Sequence, residues 1–282
     1  MKGVSEPETF SAHSPNDRER YGDAVFTQDL DDEPARLAAL SSTYDHISKS
    51  QILRLDPQAA WRCLDAGSGP GVLAAWLATH VPDGEVVAAD RDVRLLEQLS
   101  ARHDNLRSMK VDLTDRDSLS ALGTFDLVHA RFVLMHQRTW PEMMSGLASL
   151  VAPGGWLVLS DFVDLSTDLI EPTPYRRVMS AMWDVLRSTI GTDISWVPTT
   201  PSLLRKEGLC DVRTEVFLPS ADHRSSAARF WRLTWGQLHD RLLTHSDLDS
   251  SVLADALASF SDPDFTELSP GMMTTMGRRP SG

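Results

Sequence analysis

Residues 61–73 read Trp61-Arg62-Cys63-Leu64-Asp65-Ala66-Gly67-Ser68-Gly69-Pro70-Gly71-Val72-Leu73. An apolar segment typical of a buried strand ends in the acid Asp65, and a glycine-rich turn follows it. Because glycine has no Cβ atom, such a turn bends tightly and lets a ligand lie against the backbone. Beyond the turn, Leu73, Trp76 and Leu77 recur with helical spacing, so the positive end of a helix dipole faces the turn. The pattern predicts a site for a nucleotide-like ligand at the carboxyl end of a parallel sheet.

The composition narrows the class of protein. The chain has 282 residues, 41% hydrophobic and 24% charged, which is typical of a globular protein with a sizeable core. Its formal net charge is −13 and it has no run of Lys or Arg, which argues against a nucleic-acid partner and an anionic membrane surface. Cys63 and Cys210 have no metal-ligand neighbours, which favours a reduced, cytoplasmic protein. Neither an apolar leader nor an apolar span of about 18 residues is present, so we expect no signal peptide and no membrane helix.

Strands and helices alternate along the first part of the chain. Further buried strands are predicted at residues 86–90, 106–111, 125–131 and 156–159, with helical patterns between them. This alternation predicts an α/β fold with a Rossmann-like, doubly wound, mainly parallel sheet. The rhythm changes after about residue 165, where further helices, one of them at 229–243, and two late strands, at 212–218 and 272–276, are predicted.

The glycine turn fits two motifs. Read from Gly69, it satisfies G-x-G-x-x-A, and Asp90 follows at a spacing suited to a ribose, which is typical of a dinucleotide site. Read from Asp65, it is D-x-G-x-G-x-G. The first motif predicts a nicotinamide-dependent oxidoreductase, and the second leads to a different class of enzyme.

The second motif resembles the first motif of class I S-adenosylmethionine-dependent methyltransferases. The resemblance runs from about residue 44 to residue 161 and has four further points: Asp90 at the second strand end, Asp112-Leu113 at the third, the fourth strand FDLVHAR at 125–131, and an L-x-P-G-G turn at 150–155. The P-G-G turn and the Asp-Leu pair have no role in a dinucleotide fingerprint. The later segment resembles the small-molecule, secondary-metabolite branch, in which residues inserted after the fifth strand form a substrate lid.

With this resemblance, the chain divides into five parts. They are a mobile N-terminal segment (1–30), an N-terminal helical cap (31–57), a cofactor-binding Rossmann-like core (58–164), a helical substrate lid (165–208), and C-terminal strands and helices that complete the core (209–282). The sequence Asp31-Asp32-Glu33-Pro34 indicates the start of the cap helix.

The resemblance implies roles at the first strand end and on the neighbouring elements. Gly67, Gly69 and Gly71 would carry the backbone against the methionine part of the cofactor. Asp65 would hold its cationic amine, although a strand-end acid can also simply cap the turn. Tyr44 would cover the cofactor or pack in the core.

The next strand ends would hold the adenosine. Asp90 would accept both ribose hydroxyls, with Arg91 beside it in the cofactor site; its alternative role is to cap the next helix. Asp112 would accept from the adenine amino group and Leu113 would supply a backbone N–H, or Asp112 is a loop acid. Arg131 would meet the methionine amine through its carbonyl, while its side chain positions a substrate oxygen or pairs with a core acid.

Methyl transfer needs placement and, for some acceptors, a base. His136 is the first candidate because an ordinary histidine pKa suits neutral pH, although it can also pack on the adenine side as part of the cofactor site. Asp161 is the second candidate, or it caps a turn. No metal motif occurs, so we predict no metal site. Bulky residues suggest an apolar pocket for a flat or bulky substrate, although core packing also explains them: Met179, Met182, Trp183, Trp196, Trp231 and Trp235.

The resemblance implies a cytoplasmic methyltransferase that uses S-adenosylmethionine, releases S-adenosylhomocysteine and acts on a small molecule such as a specialised metabolite. Oxygen is the expected acceptor atom, with carbon or nitrogen as alternatives, and a homodimer is a possible assembly. The alternatives are the NAD(P)-dependent oxidoreductase and a methyltransferase-fold protein with another role. A nucleic-acid methyltransferase is disfavoured, since Arg131-Phe132-Val133-Leu134 stands where an N/D-P-P-Y/F run is expected.

Overall fold

The structure, a computed structural model, describes residues 19–282. Its strands are β1 (Arg62–Ala66), β2 (Glu85–Asp90), β3 (Leu106–Lys110), β4 (Phe125–Arg131), β5 (Val151–Val163), β6 (Cys210–Phe217), β7 (Ser220–Asp222), β8 (Thr266–Leu268) and β9 (Gly271–Arg278). Its helices are α1 (Glu33–Leu53), α2 (Val72–His80), α3 (Arg94–Ser100), α4 (Arg116–Ser120), α5 (Trp140–Ser149), α6 (Pro174–Thr189), α7 (Thr200–Lys206), α8 (Ser226–Gln237), α9 (His239–His245) and α10 (Ser250–Ser259).

Seven strands form the central sheet in the order β3-β2-β1-β4-β5-β9-β6. Strands β1 to β5 pair in parallel, and β9 is inserted antiparallel between β5 and β6. The predicted Rossmann-like, mainly parallel sheet is confirmed. Because the strand order reverses between β1 and β4, the carboxyl ends of these strands leave a crevice beside them, where ligands bind in such sheets.

Strand β1 is buried on both faces, as expected for a parallel strand covered by helices. Cys63 packs with Leu73 and Leu77 of α2, whereas Leu64 points to the other face and packs in the cluster that contains Leu147 of α5. Successive side chains of a strand alternate between faces, so the two layers hold β1 from both sides. This fixes the glycine turn that follows β1 relative to the sheet.

A third core forms beside the crevice. Helix α1 packs against α8, and α6 packs against α9 and α10. Residues 209–282 therefore contribute two strands to the sheet, while α8, α9, α10 and the small β7–β8 sheet belong to the layer over the crevice. The five sequence-based boundaries stay predictions.

Three local expectations differ from the structure. Strand β5 runs over Val151–Val163 instead of 156–159, and it includes the P-G-G sequence that is expected to form a turn. Gly154 permits this continuation because its φ is +81°. Asp161 therefore lies within β5 rather than at its end. The stretch expected to be one helix, 229–243, is divided at Leu238 into α8 and α9.

Candidate functional site

A cavity of about 260 Å³ lies at the carboxyl ends of β1 to β4. It brings together nine of the residues predicted for the site: Asp65, Gly67, Gly69, Asp90, Arg91, Asp112, Leu113, Arg131 and His136. Tyr44, Gly71 and Asp161 are predicted site residues that do not line it. The part of the cavity formed by Asp65, Gly67, Gly69, Asp90, Asp112 and Leu113 is called the strand-tip cleft below.

The three positions of the turn are occupied by glycine for different physical reasons. Gly67 has φ +70°, and a Cβ there would lie 2.3 Å from Val133 Cγ2. Gly69 has φ +54°, and its missing Cβ faces open space with no atom of residues 19–282 within 4 Å. Gly71 precedes α2, and a Cβ there would lie 2.4 Å from Leu96 Cδ2. Gly67 and Gly71 are thus required by packing, while Gly69 leaves room where a ligand can lie against the backbone.

Asp90 holds the glycine turn and still faces the cavity. Its Oδ2 accepts from the Gly69 N–H at 2.8 Å, and its Oδ1 accepts from the Asp92 N–H at 3.1 Å. Burial raises its pKa, although these backbone donors oppose the shift. The N-cap of α3 is Val93, without a side-chain cap, so Asp90 does not cap that helix. Its two oxygens keep lone pairs for a ligand that presents neighbouring hydroxyl groups.

Asp65 belongs to a buried cluster that sequence analysis missed. Its Oδ1 lies 2.8 Å from His129 Nδ1, and its Oδ2 accepts from Ser68 Oγ at 2.9 Å. His129 is 1% exposed, and its Nε2 has no hydrogen-bond partner within the described range 19–282. The two residues are register partners in the β1–β4 pair. Only the strand order and register bring them together, so no local motif reveals His129.

Asp112 and Arg91 anchor the N-terminal segment across the mouth of the cavity. Asp112 Oδ1 accepts from the Thr114 N–H at 2.9 Å, and Asp112 Oδ2 lies 3.3 Å from Arg20 Nη1. Burial alone would raise the pKa of Asp112, but the Thr114 hydrogen bonds and the charges of Arg20 and Arg91 lower it. Arg91 donates to the Tyr21 carbonyl at 2.7 Å. Of the segment predicted to be mobile, residues 1–18 lie outside the described range, and residues 19–30 pack with Phe26 buried.

Two residues predicted for the site lie beneath it. Tyr44 is buried in an aromatic core with Phe132 and donates through its hydroxyl to the Pro270 carbonyl at 3.1 Å. Asp161 accepts from the Met135 N–H at 3.4 Å, and burial raises its pKa to about 8. Core packing, which sequence analysis gave as the alternative for Tyr44, describes its surroundings.

Arg131 lines the cavity but is held by α1. Its Nη2 lies 2.6 Å from Asp45 Oδ1 and its Nη1 donates to Ser48 Oγ at 3.0 Å. Of the roles considered for this side chain, the pair with a core acid is the one observed. The backbone carbonyl of Arg131 remains at the strand end.

The cavity continues from the strand-tip cleft into a second part, called the aromatic chamber below. Its walls come from four separate regions of the chain and consist of Tyr21, Phe26, Glu33, Arg36, His136, Met182, Trp183, Phe230 and Trp231. Of the bulky residues named from the sequence, Met182, Trp183 and Trp231 line this chamber, while Met179, Trp196 and Trp235 pack elsewhere. The chamber therefore offers aromatic surface with a few polar groups.

His136 is enclosed at the junction of the two parts. Its ring centre lies 4.2 Å from that of Tyr21, and its Nδ1 lies 2.8 Å from Thr192 Oγ1. Burial and the positive charge of Arg36 lower its pKa to about 3. The ordinary pKa that makes histidine an attractive base at neutral pH does not apply in this environment, where the imidazole is neutral.

Sequence analysis also missed four residues that complete the chamber: Tyr21, Phe26, Glu33 and Arg36. Glu33 and Arg36 are 2% and 3% exposed, and they are i,i+3 neighbours on α1. On the sequence they are indistinguishable from a surface ion pair. Their burial depends on α8, which is about 200 residues further along the chain.

Two further findings concern metal sites and membrane-spanning helices. Among residues 19–282, no group of three or more His, Cys, Asp or Glu is arranged to hold a metal ion. In the same range, no helix combines the length and the apolar character needed to cross a membrane. The absence of a metal stays a prediction from the sequence.

Comparisons with known proteins agree with this architecture. A family model described as a methyltransferase domain matches residues 24–197, more than half of the chain. Methyltransferase str2 of Strobilurus tenacellus is 29% identical over 66% of this chain and 68% of its own length. Trans-aconitate 2-methyltransferase of Methylobacterium radiotolerans is 30% identical over 57% of this chain and 55% of its own length. In eight of the curated relatives, the matches span 35–68% of the relatives' own lengths.

Among solved structures, the YcgJ protein of Bacillus subtilis superposes with a TM-score of 0.58, covering 85% of this chain and 100% of that protein at 15% identity. At this identity the likeness concerns the fold alone, and it agrees with the sheet described above. The family match, in contrast, covers both the glycine turn and the strand tips around the cavity. The chain therefore belongs to the methyltransferase-domain family, and the class I S-adenosylmethionine-dependent methyltransferase expected from its sequence is confirmed as its family.

Proposed function

We propose that this protein transfers a methyl group from S-adenosylmethionine to an oxygen atom of a small-molecule acceptor, with carbon or nitrogen as alternative acceptor atoms. One observation carries the proposal: the carboxylates of Asp65, Asp90 and Asp112 line a single cavity beside the glycine turn. The cavity continues from the strand-tip cleft into the aromatic chamber, which would take the acceptor. The match of residues 24–197 to a methyltransferase-domain family supports the proposal.

The strand-tip cleft fits the cofactor group by group. Asp90 would accept from the ribose hydroxyls, and Asp112 with the Leu113 N–H would hold the adenine. Asp65, supported by His129 and Ser68, would bind the cationic amine. Gly69 leaves open space at the turn, which is where the backbone would meet the ligand. When bound, S-adenosylmethionine supplies an electrophilic methyl group and leaves as S-adenosylhomocysteine.

The chain's own contribution to the reaction is placement and proton removal. The walls of the aromatic chamber exclude water and hold the acceptor against the strand-tip cleft. His136 lines the chamber with its Nδ1 paired to Thr192, and its Nε2 would take the proton that the acceptor oxygen loses. A base with a pKa of about 3 suffices, because an oxygen that has gained a methyl group while keeping its proton is a far stronger acid.

Calorimetric titration of the full chain tests the proposal against its rival. S-adenosylhomocysteine should bind and NADH should not, whereas tight binding of NADH alone would favour the oxidoreductase. Release of S-adenosylhomocysteine with a panel of phenols, enols and amines then measures activity. A protein that binds the cofactor but consumes none with any acceptor would be a methyltransferase-fold protein with another role.

A cytoplasmic location and a homodimer belong to the same proposal. Both cysteines are free, Cys63 buried and Cys210 exposed, as suits a reducing compartment. Fractionation of the producing cell and light scattering of the purified chain measure the two properties.

A further inference from the structure

The aromatic chamber contains a buried ion pair whose charges are already balanced. Arg36 Nε and Nη2 each lie 2.7 Å from an oxygen of Glu33. Nη2 also donates to the Tyr21 hydroxyl at 2.5 Å. Both members of the pair are almost fully buried, at 3% and 2% exposure. The fork to Glu33 and the bond to Tyr21 together satisfy three of the five N–H donors of the guanidinium.

The remaining donors belong to Arg36 Nη1. Within residues 19–282 this nitrogen has no hydrogen-bond partner, and Arg36 lines the cavity. Because Nη1 does not belong to the fully buried unsatisfied atoms of this range, it is open to the cavity, where a ligand or water can accept its hydrogen bonds. An oxygen atom of a bound molecule is the complement that Nη1 requires.

The surroundings of the guanidinium favour a flat ligand. Arg36 Cζ lies 4.3 Å from the centre of the Phe26 ring and 5.4 Å from that of Phe230. Trp183 and Trp231 form further walls of the chamber. Aromatic rings pack best against planar apolar surfaces, so a planar ring system makes the most contact with these walls.

The charge balance decides what kind of oxygen fits. Glu33 carries the charge opposite to that of Arg36, and Gln237 Nε2 donates to Glu33 Oε2 at 3.1 Å. A ligand carboxylate on Nη1 would place a second anion in a desolvated chamber against one cation. A hydroxyl or carbonyl oxygen accepts from Nη1 without that penalty.

We infer that the methyl acceptor is a flat, uncharged ring compound that places a hydroxyl or carbonyl oxygen on Arg36 Nη1, and that the Glu33–Arg36 pair excludes carboxylates. The inference rests on the proposed function and narrows its small-molecule acceptor to this chemical class. Arg36 thereby determines specificity and takes no part in methyl transfer itself.

The test compares two probes that differ in charge but share one ring system. 2-Naphthol, uncharged at pH 7, and 2-naphthoate, an anion at pH 7, are titrated by calorimetry into the full chain saturated with S-adenosylhomocysteine. The expected result is that 2-naphthol binds at least about tenfold more tightly, since the anion would have to be desolvated beside Glu33. Equal affinity, tighter binding of 2-naphthoate, or binding of neither probe would overturn the inference.

A pair of matched variants isolates the charge of Glu33. Glu33→Gln keeps the shape and leaves Arg36 without its counter-charge, so the preference should move by at least about tenfold toward 2-naphthoate. Glu267→Gln is the control, because Glu267 Oε2 accepts from Arg176 Nη2 at 2.6 Å and from Arg176 Nε at 3.1 Å in a largely buried ion pair outside the cavity. It should leave the preference unchanged. A preference that shifts equally in both variants, or in neither, would contradict the role of Glu33.

Arg36→Lys gives a second measurement that keeps the charge and removes the fork. Its affinity for 2-naphthol should fall by about tenfold while its affinity for S-adenosylhomocysteine changes by less than about twofold. Unchanged 2-naphthol binding would rule out Nη1 as the donor. Failure of the wild-type chain to bind S-adenosylhomocysteine would instead count against the proposed function, so the two failures are distinguishable.

Discussion

The strand-tip cleft and the aromatic chamber adjoin in one cavity but are encoded differently. Each acid of the cleft lies within two residues of the carboxyl end of its own strand, so a few consecutive residues specify both the strand and the ligand group. The chamber takes Tyr21 from the N-terminal segment, Arg36 from α1, Trp183 from α6 and Trp231 from α8. No short stretch specifies that assembly. The cofactor half can therefore be recognised from local sequence, whereas the acceptor half depends on how distant helices pack.

The largest effect is expected at the turn that begins the cleft. Gly67→Ala should lower the free energy of unfolding by about 3 kcal/mol, because φ is +70° and the new Cβ meets Val133 at 2.3 Å. Gly236→Ala in α8 is the matched control, since among residues 19–282 no atom outside the adjoining residues and the backbone of its own helix lies within 4 Å of its Cβ position; it should stabilise by up to about 1 kcal/mol. Thermal unfolding of both variants measures the difference, and equal effects would contradict the packing given for Gly67.

The next effect concerns cofactor binding in the cleft. Asp90→Ala should weaken S-adenosylhomocysteine binding by about thirtyfold, or roughly 2 kcal/mol, because a buried acceptor of two hydroxyl groups is lost. Asp104→Ala, an exposed acid before β3, should leave the affinity unchanged. Calorimetric titration of each variant with S-adenosylhomocysteine measures the two affinities. Full affinity in the Asp90 variant would remove Asp90 from the cofactor site.

The third effect concerns turnover and is expected at His136, which lies at the junction of the strand-tip cleft and the aromatic chamber. His136→Ala should reduce turnover by about tenfold with little change in cofactor affinity, because a weak base is removed from the acceptor side. His245→Ala, on an exposed end of α9, controls for loss of a histidine elsewhere. If calorimetric titration instead showed a large loss of S-adenosylhomocysteine affinity in this variant, His136 would belong to the cofactor site.

The smallest effect is the pH dependence of stability due to Asp161. The folded chain keeps this proton up to about pH 8, whereas the ordinary value is 3.8, so the native state binds more protons and stability falls as pH rises between these values. Asp161→Asn cannot ionise. Relative to wild type it should gain about 1 kcal/mol between pH 7 and pH 8. Melting curves at several pH values measure this gain, and parallel curves for the two proteins would exclude a buried, protonated Asp161.

Sequence predicts the sheet and the cleft because each relevant signal is short. Asp65 with Gly67, and Asp112 with Leu113, lie at strand ends where periodicity alone indicates the edge of the sheet. The contact between His129 and Asp65 could not be predicted from the sequence, because it depends on the register between β1 and β4. For Tyr44 and Asp161 the difference has the opposite direction. Both are predicted for the site from the sequence, but their polar groups face the core. Their positions depend on β5 continuing to Val163 and on the packing over Phe132.

The most direct test of a shared cavity is a crystal structure of the full chain with S-adenosylhomocysteine. The account predicts the ribose on Asp90, the adenine beside Asp112, and the sulfur directed at the chamber lined by Arg36 and Trp231. A ligand bound elsewhere, or a sulfur turned away from that chamber, would contradict it.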